Sequence, residues 1–138
     1  MKQALLVPVV ASLGACATVP PPAPAASSCP LIGSSDWAAW INAMPGPDAR
    51  PKLIVTGKAT VPTGGYRFAL SGPTVLRSEP VQVHLTLQQL PASGGPVTQA
   101  VVTHDIGGEW PMSPPVGSVT VRCGDRTLAV ISPVVTAS

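Results

Sequence analysis

The chain has 138 residues, with 8 Lys and Arg against 6 Asp and Glu, a formal net charge of +2 and only 10% charged residues. So even a balance provides no electrostatic footprint for nucleic acid. Beyond the first fifteen residues, no stretch approaches the ~18 consecutive apolar residues of a membrane-spanning helix. At the N-terminus, Lys2 is followed by an apolar run from Ala4 to Ala11, the charge and hydropathy layout of a secretory signal. That run is too short to span a bilayer, and Pro8 kinks it.

The run ends in Leu13-Gly14-Ala15-Cys16, which resembles the lipobox of bacterial lipoproteins: an aliphatic residue, two small residues and the cysteine that receives diacylglycerol. The resemblance implies that residues 1–15 are a signal peptide, cut before Cys16, and that Cys16 carries the lipid. The alternative is cleavage by the ordinary signal peptidase, which would leave Cys16 a free thiol. In a cell with two membranes, Ala17 rather than Asp after the cysteine resembles the sorting pattern for the outer membrane, with the folded part in the periplasm. Residues 16–28 are rich in Pro, Ala and Ser and are expected to form a tether. At ~3.1 Å per residue in polyproline II, a dozen residues reach roughly 35 to 40 Å. Residues 29–138 are expected to form one domain.

Along that domain, Ser34 to Met44 places Trp37, Trp40, Ile41 and Met44 at i, i+3, i+4 and i+7, which predicts a helix. Ser35 would cap it, Asp36 would meet its positive end, and Pro45-Gly46 would stop it. The tryptophans then read as core packing. From Pro51 onward the period becomes alternating. Leu53–Val61 and Tyr66–Leu70 are predicted strands joined as a hairpin through Pro62-Thr63-Gly64-Gly65, with Tyr66, Phe68 and Leu70 on one face. Val81, Val83, Leu85 and Leu87 alternate with polar residues. The Pro91–Pro96 turn is expected to fold this strand back on Val97–His104, which Gly107-Gly108 would break. Ser118–Cys123 and Thr127–Ile131 flank Gly124-Asp125-Arg126, a second hairpin signal. The expected fold is mainly β, an antiparallel Ig-like sandwich or partial barrel with one short N-terminal α-helix.

With Cys16 assigned to lipid, Cys29 and Cys123 form an even pair that predicts a disulfide in an oxidising compartment. The predicted hairpin sets His84 opposite Val101, about 10 Å from His104, too far for a shared metal. The six carboxylates are scattered, no serine or threonine has a base and orienting group in a recognisable motif, and the glycine pairs lack the helix and lysine of a phosphate cradle. Neither catalytic residues nor a cofactor or metal site are therefore predicted, and no small-molecule substrate is evident.

Pro62-Thr63-Gly64-Gly65-Tyr66 resembles the proline-threonine-threonine-glycine-tyrosine loop of the chagasin family, inhibitors of papain-type cysteine proteases built on an Ig-like sandwich; Gly64 stands for the second threonine. In that family a glycine-rich loop and an Arg-Pro-Trp loop complete a wedge. Ser93-Gly94-Gly95 could stand for the first, whereas Glu109-Trp110-Pro111 reverses the order of the second and lacks its arginine. The expected function is a membrane-anchored, non-enzymatic lipoprotein that binds or scaffolds an envelope protein. Inhibition of papain-type proteases is the alternative, and an enzyme with an unrecognised site a second one. Loops on a rigid scaffold commonly carry recognition, so Thr63, Gly64, Gly65, Tyr66, Gly94 and Trp110 are the candidate partner-binding residues.

Overall fold

The computed structural model describes Cys16 and residues 29–91, 94–97 and 99–138; the expected signal peptide and the tether beyond Cys16 lie outside the described residues. Its strands are β1 (Gly33–Asn42), β2 (Lys52–Val61), β3 (Arg67–Leu76), β4 (Gln82–Leu90), β5 (Val102–Pro111), β6 (Ser118–Cys123), β7 (Arg126–Ile131) and β8 (Val135–Ala137). They form two four-stranded sheets, ordered β5-β2-β1-β8 and β3-β4-β6-β7. The mainly β class agrees with the alternating pattern of the sequence.

Alternation decides which residues meet between the sheets. Along β2, Leu53, Val55, Ala59 and Val61 are buried while Lys52, Thr56 and Lys58 are exposed; β4 likewise buries Val83, Leu85 and Leu87. One core cluster joins Ile41, Leu53 and Val55 of the first sheet to Val83, Leu85, Val119 and Val121 of the second. A second cluster gathers Leu31, Ala59, Val61, Leu87, Ile106 and Cys123. Ile41, Leu53, Val55, Val83, Val119 and Val121 are fully buried, each removal from water contributing about 1.5 to 3 kcal/mol.

Five expectations are overturned. The segment read as a helix is strand β1, so among the described residues there is no N-terminal α-helix. Trp37, Ala39 and Ile41 also have a spacing of two and turn to the core, a pattern as compatible with a strand as with a helix. Pairing decides between them: β1 covers one edge of β2 along its length and takes β8 on its other side. A bulge between Ser35 and Ala38 interrupts the register, and Asp36, read as a dipole partner, instead takes φ 55° there.

The two long hairpins are not formed. Both edges of β2 are occupied, by β1 and β5, so β3 crosses to the other sheet; both edges of β4 are occupied, by β3 and β6, so β5 crosses back. Gly107-Gly108 does not break β5, which pairs with β2 without interruption, Gly107 opposite Thr56 and Gly108 opposite Val55. A Cβ on Gly108 would lie 2.5 Å from Cη2 of Trp110, so this glycine seats an indole. Finally, the sheets are mixed rather than antiparallel, because β4–β6 and β1–β8 are parallel. The short hairpin does form, β6 pairing antiparallel with β7 around Gly124 at φ 58°, a conformation glycine adopts without a Cβ clash.

Candidate functional site

The start of β1, the end of β2 and the start of β5 lie at one end of the molecule by register, and the Cys29–Cys123 bridge and the Arg126–Leu31 hydrogen bond bring the β6–β7 hairpin to the same end. Cys29 and Cys123 form a disulfide at this end, with 5.4 Å between Cα atoms. Close by, Arg126 Nη1 donates to the Leu31 carbonyl at 3.0 Å, and the Ile32 amide donates to the Thr60 carbonyl at 2.8 Å. The chain coming from Cys16 is therefore held at this end by a covalent bond and by the two hydrogen bonds of residues 31 and 32. Cys16 itself is a free, exposed cysteine.

The β2–β3 connection, which holds Thr63, Gly64, Gly65 and Tyr66, emerges at the same end and meets the β4–β5 connection. A Cβ on Gly65 would stand 3.0 Å from Cγ1 of Val97, and together Gly64, Gly65, Arg67, Gly94, Gly95 and Val97 line a cleft of about 100 Å³. Gly94 has φ 63°, a left-handed turn conformation that favours glycine; Ser93 lies outside the described residues. Arg67 and Val97 escape sequence reasoning because one opens a strand and the other follows a turn, and only the crossing connections bring them together.

Tyr66 does not project from this end. It stacks on Phe68 with ring centroids 6.2 Å apart, and both rings pack on the second core cluster. The face predicted for Tyr66, Phe68 and Leu70 is thus the core face. Trp110 is separated from the loops altogether. It pairs with Leu53 near the far end of β2, eight residues from Val61, or about 27 Å at ~3.4 Å per residue. Its indole packs on the first core cluster.

The histidines also part. His84 lies on β4 between Thr74 and Thr120, whereas His104 is within β5, opposite Ala59, and its ring meets Phe68 edge-on at 6.3 Å. Among the described residues no three His, Cys, Asp or Glu side chains gather as metal ligands. The depression of about 380 Å³ beside Pro30, Thr86, Gln88 and Cys123 gathers no charged side chain, whereas one of about 370 Å³ is lined by Asp36, Lys58 and Asp105.

Comparison with protein-family models, curated proteins and solved structures finds no match to this chain.

Proposed function

We propose that this chain is a non-enzymatic lipoprotein of the bacterial envelope: an Ig-like β-domain, tethered through lipid on Cys16, whose loop end is a binding surface. Its parallel β4–β6 and β1–β8 pairs depart from the antiparallel sheets of the Ig fold, while the two packed sheets keep its layered core. The supporting observation is the meeting of the Gly64-Gly65 and Gly94-Gly95 loops at the end to which the disulfide holds the chain from Cys16. A tethered domain presenting backbone-rich loops on a rigid sandwich suits recognition rather than turnover.

Mass spectrometry of the wild-type N-terminal peptide tests the anchor. The expected peptide begins at Cys16 with added acyl mass, and Cys16→Ser abolishes acyl labelling; an unmodified peptide beginning at residue 16 refutes the reading. A second reading, a chagasin-type inhibitor, is favoured by the same juxtaposition, because a protease wedge needs the Thr63–Tyr66 loop beside a glycine-rich one. Titration against papain decides it: progressive loss of protease activity supports inhibition, and unchanged activity at excess protein removes it.

A further inference from the structure

Charge is nearly balanced over the whole chain but not over its two ends. At the loop end the exposed side chains of Arg67, Arg122 and Arg126 face a single carboxylate, Asp125. At the opposite end Arg50, Lys52 and Arg77 are matched by Asp48, Glu79 and Glu109, with Lys52 on Glu109 at 3.3 Å. Between the ends, Lys58 lies 3.8 Å from Asp36 and opposite Asp105 in the β2–β5 register, so this middle band carries two carboxylates against one lysine. Aliphatic side chains are exposed at both ends, Ile32, Val97 and Val101 at the loop end and Met44, Val75, Leu76 and Val135 at the other, so charge is what sets the loop end apart.

We infer that this end, with its arginines and exposed Ile32, Val97 and Val101, docks on an anionic phospholipid surface. The inference rests on the lipid-anchor reading proposed above and names the partner of the same binding surface. Three observations favour a bilayer over a small molecule or a soluble protein. The thirteen residue steps from Cys16 to Cys29 span at most about 45 Å even when fully extended, so in an anchored molecule the loop end is the end held within reach of the headgroups. The cleft of about 100 Å³ between the glycine loops is below the ~300 Å³ at which ligand pockets begin, and the wider depression beside Pro30 and Cys123 is open and gathers no charged side chain to orient a ligand. The one aromatic residue of the loops, Tyr66, is engaged with Phe68 and offers no projecting anchor of the kind that dominates protein interfaces. Guanidinium groups paired with phosphates, and short aliphatic side chains at the headgroup boundary, are by contrast the chemistry of interfacial attachment.

The test uses the full lipidated chain in vesicles of phosphatidylethanolamine and phosphatidylglycerol containing a rhodamine-labelled lipid, with a fluorescent amino acid at exposed Gln99 or, at the far end, Met44. Energy transfer from position 99 is expected to exceed that from position 44. It is expected to fall to the position-44 level in phosphatidylcholine vesicles and in the Arg67→Glu/Arg122→Glu variant, whose melting temperature and flotation stay those of the wild type. Arg126 is left in place because it holds Leu31, whereas Arg122 donates only a long, exposed hydrogen bond of 3.4 Å to the Asp125 carbonyl of its own turn. Equal transfer from both positions, or transfer from position 99 that ignores lipid charge and the double variant, overturns docking while the anchor stands. Shielding of position 99 only in native envelopes, not in vesicles, assigns the end to a protein instead. Failure of the wild type to float with vesicles overturns the anchor and the docking together.

Discussion

Trp37 and Gly57 show how one residue's size dictates another's identity. A Cβ on Gly57 would overlap the Trp37 ring, with Cζ3 only 2.6 Å away, and Trp37 packs against both core clusters. Gly57→Ala is therefore expected to lower stability by about 1 to 3 kcal/mol through overpacking. Combining it with Trp37→Leu, which vacates the space, should cost less than the two single changes added, and a double-mutant cycle in urea measures the coupling. The same logic applies to the aromatic residues singled out as candidate binders. Trp110 rests over Gly108 and Tyr66 on Phe68, so Trp110→Ala and Tyr66→Ala are both expected to lower the melting temperature by several degrees. Only Tyr66→Ala should disturb binding at the loop end, indirectly, by loosening the Gly64-Gly65 loop that its packing on Phe68 holds; Trp110 is about 27 Å from that end along β2. A calorimetric scan paired with energy transfer from position 99 to a vesicle-bound lipid dye separates the two effects.

Among the elements, β1 carries the clearest lesson. Its apolar residues satisfy a helical spacing and a strand spacing together, and neither caps nor propensity breaks the tie. The bulge makes the strand testable: Asp36 has φ 55°, where a β-branched side chain is strained and glycine is not. Asp36→Val is expected to cost about 1 to 2 kcal/mol, whereas Asp36→Gly should be close to neutral; a helix N-terminus at this position would instead tolerate valine. Denaturant unfolding of the two variants reads the difference. The Cys29–Cys123 bridge acts between elements, joining residues 94 apart in sequence. In the chain-entropy model a loop of that length is worth about 4 to 5 kcal/mol, so Cys29→Ser with Cys123→Ser is expected to lose stability of that order. Thiol titration of the unfolded wild-type protein should find Cys29 and Cys123 unreactive until reductant is added.

For the whole molecule, the decisive feature is that only two of the three predicted binding segments share a surface. The Thr63–Tyr66 loop and Gly94 meet because β2 and β4 each have both edges filled, which sends the following strands across to the other sheet. Both crossings leave from the end that holds Cys29 and Cys123. Trp110 is excluded by the same topology, since β5 runs antiparallel to β2 and carries it to the opposite end. The near-zero net charge read from composition excluded an electrostatic partner on average, yet folding gathers three arginines around one end. A mean over the chain cannot reveal a segregation that only the sheet order creates.

The sequence by itself determined what depends on short range or on arithmetic. The β class and the inward faces of β2 and β4 follow from a period of two. The β6–β7 turn follows from Gly124 between two apolar strands, and the disulfide from an even pair of cysteines remaining once Cys16 is set aside. Tertiary structure decided everything that depends on competition for hydrogen-bonding edges: whether Gly33–Asn42 is strand or helix, which strands pair, whether Gly107-Gly108 interrupts or seats an indole, and which loops share an end. The physical reason is that local periodicity specifies only which side of a segment is apolar. An unfilled backbone edge can be satisfied by any strand in the chain, and the choice among them is made by the packing of the whole.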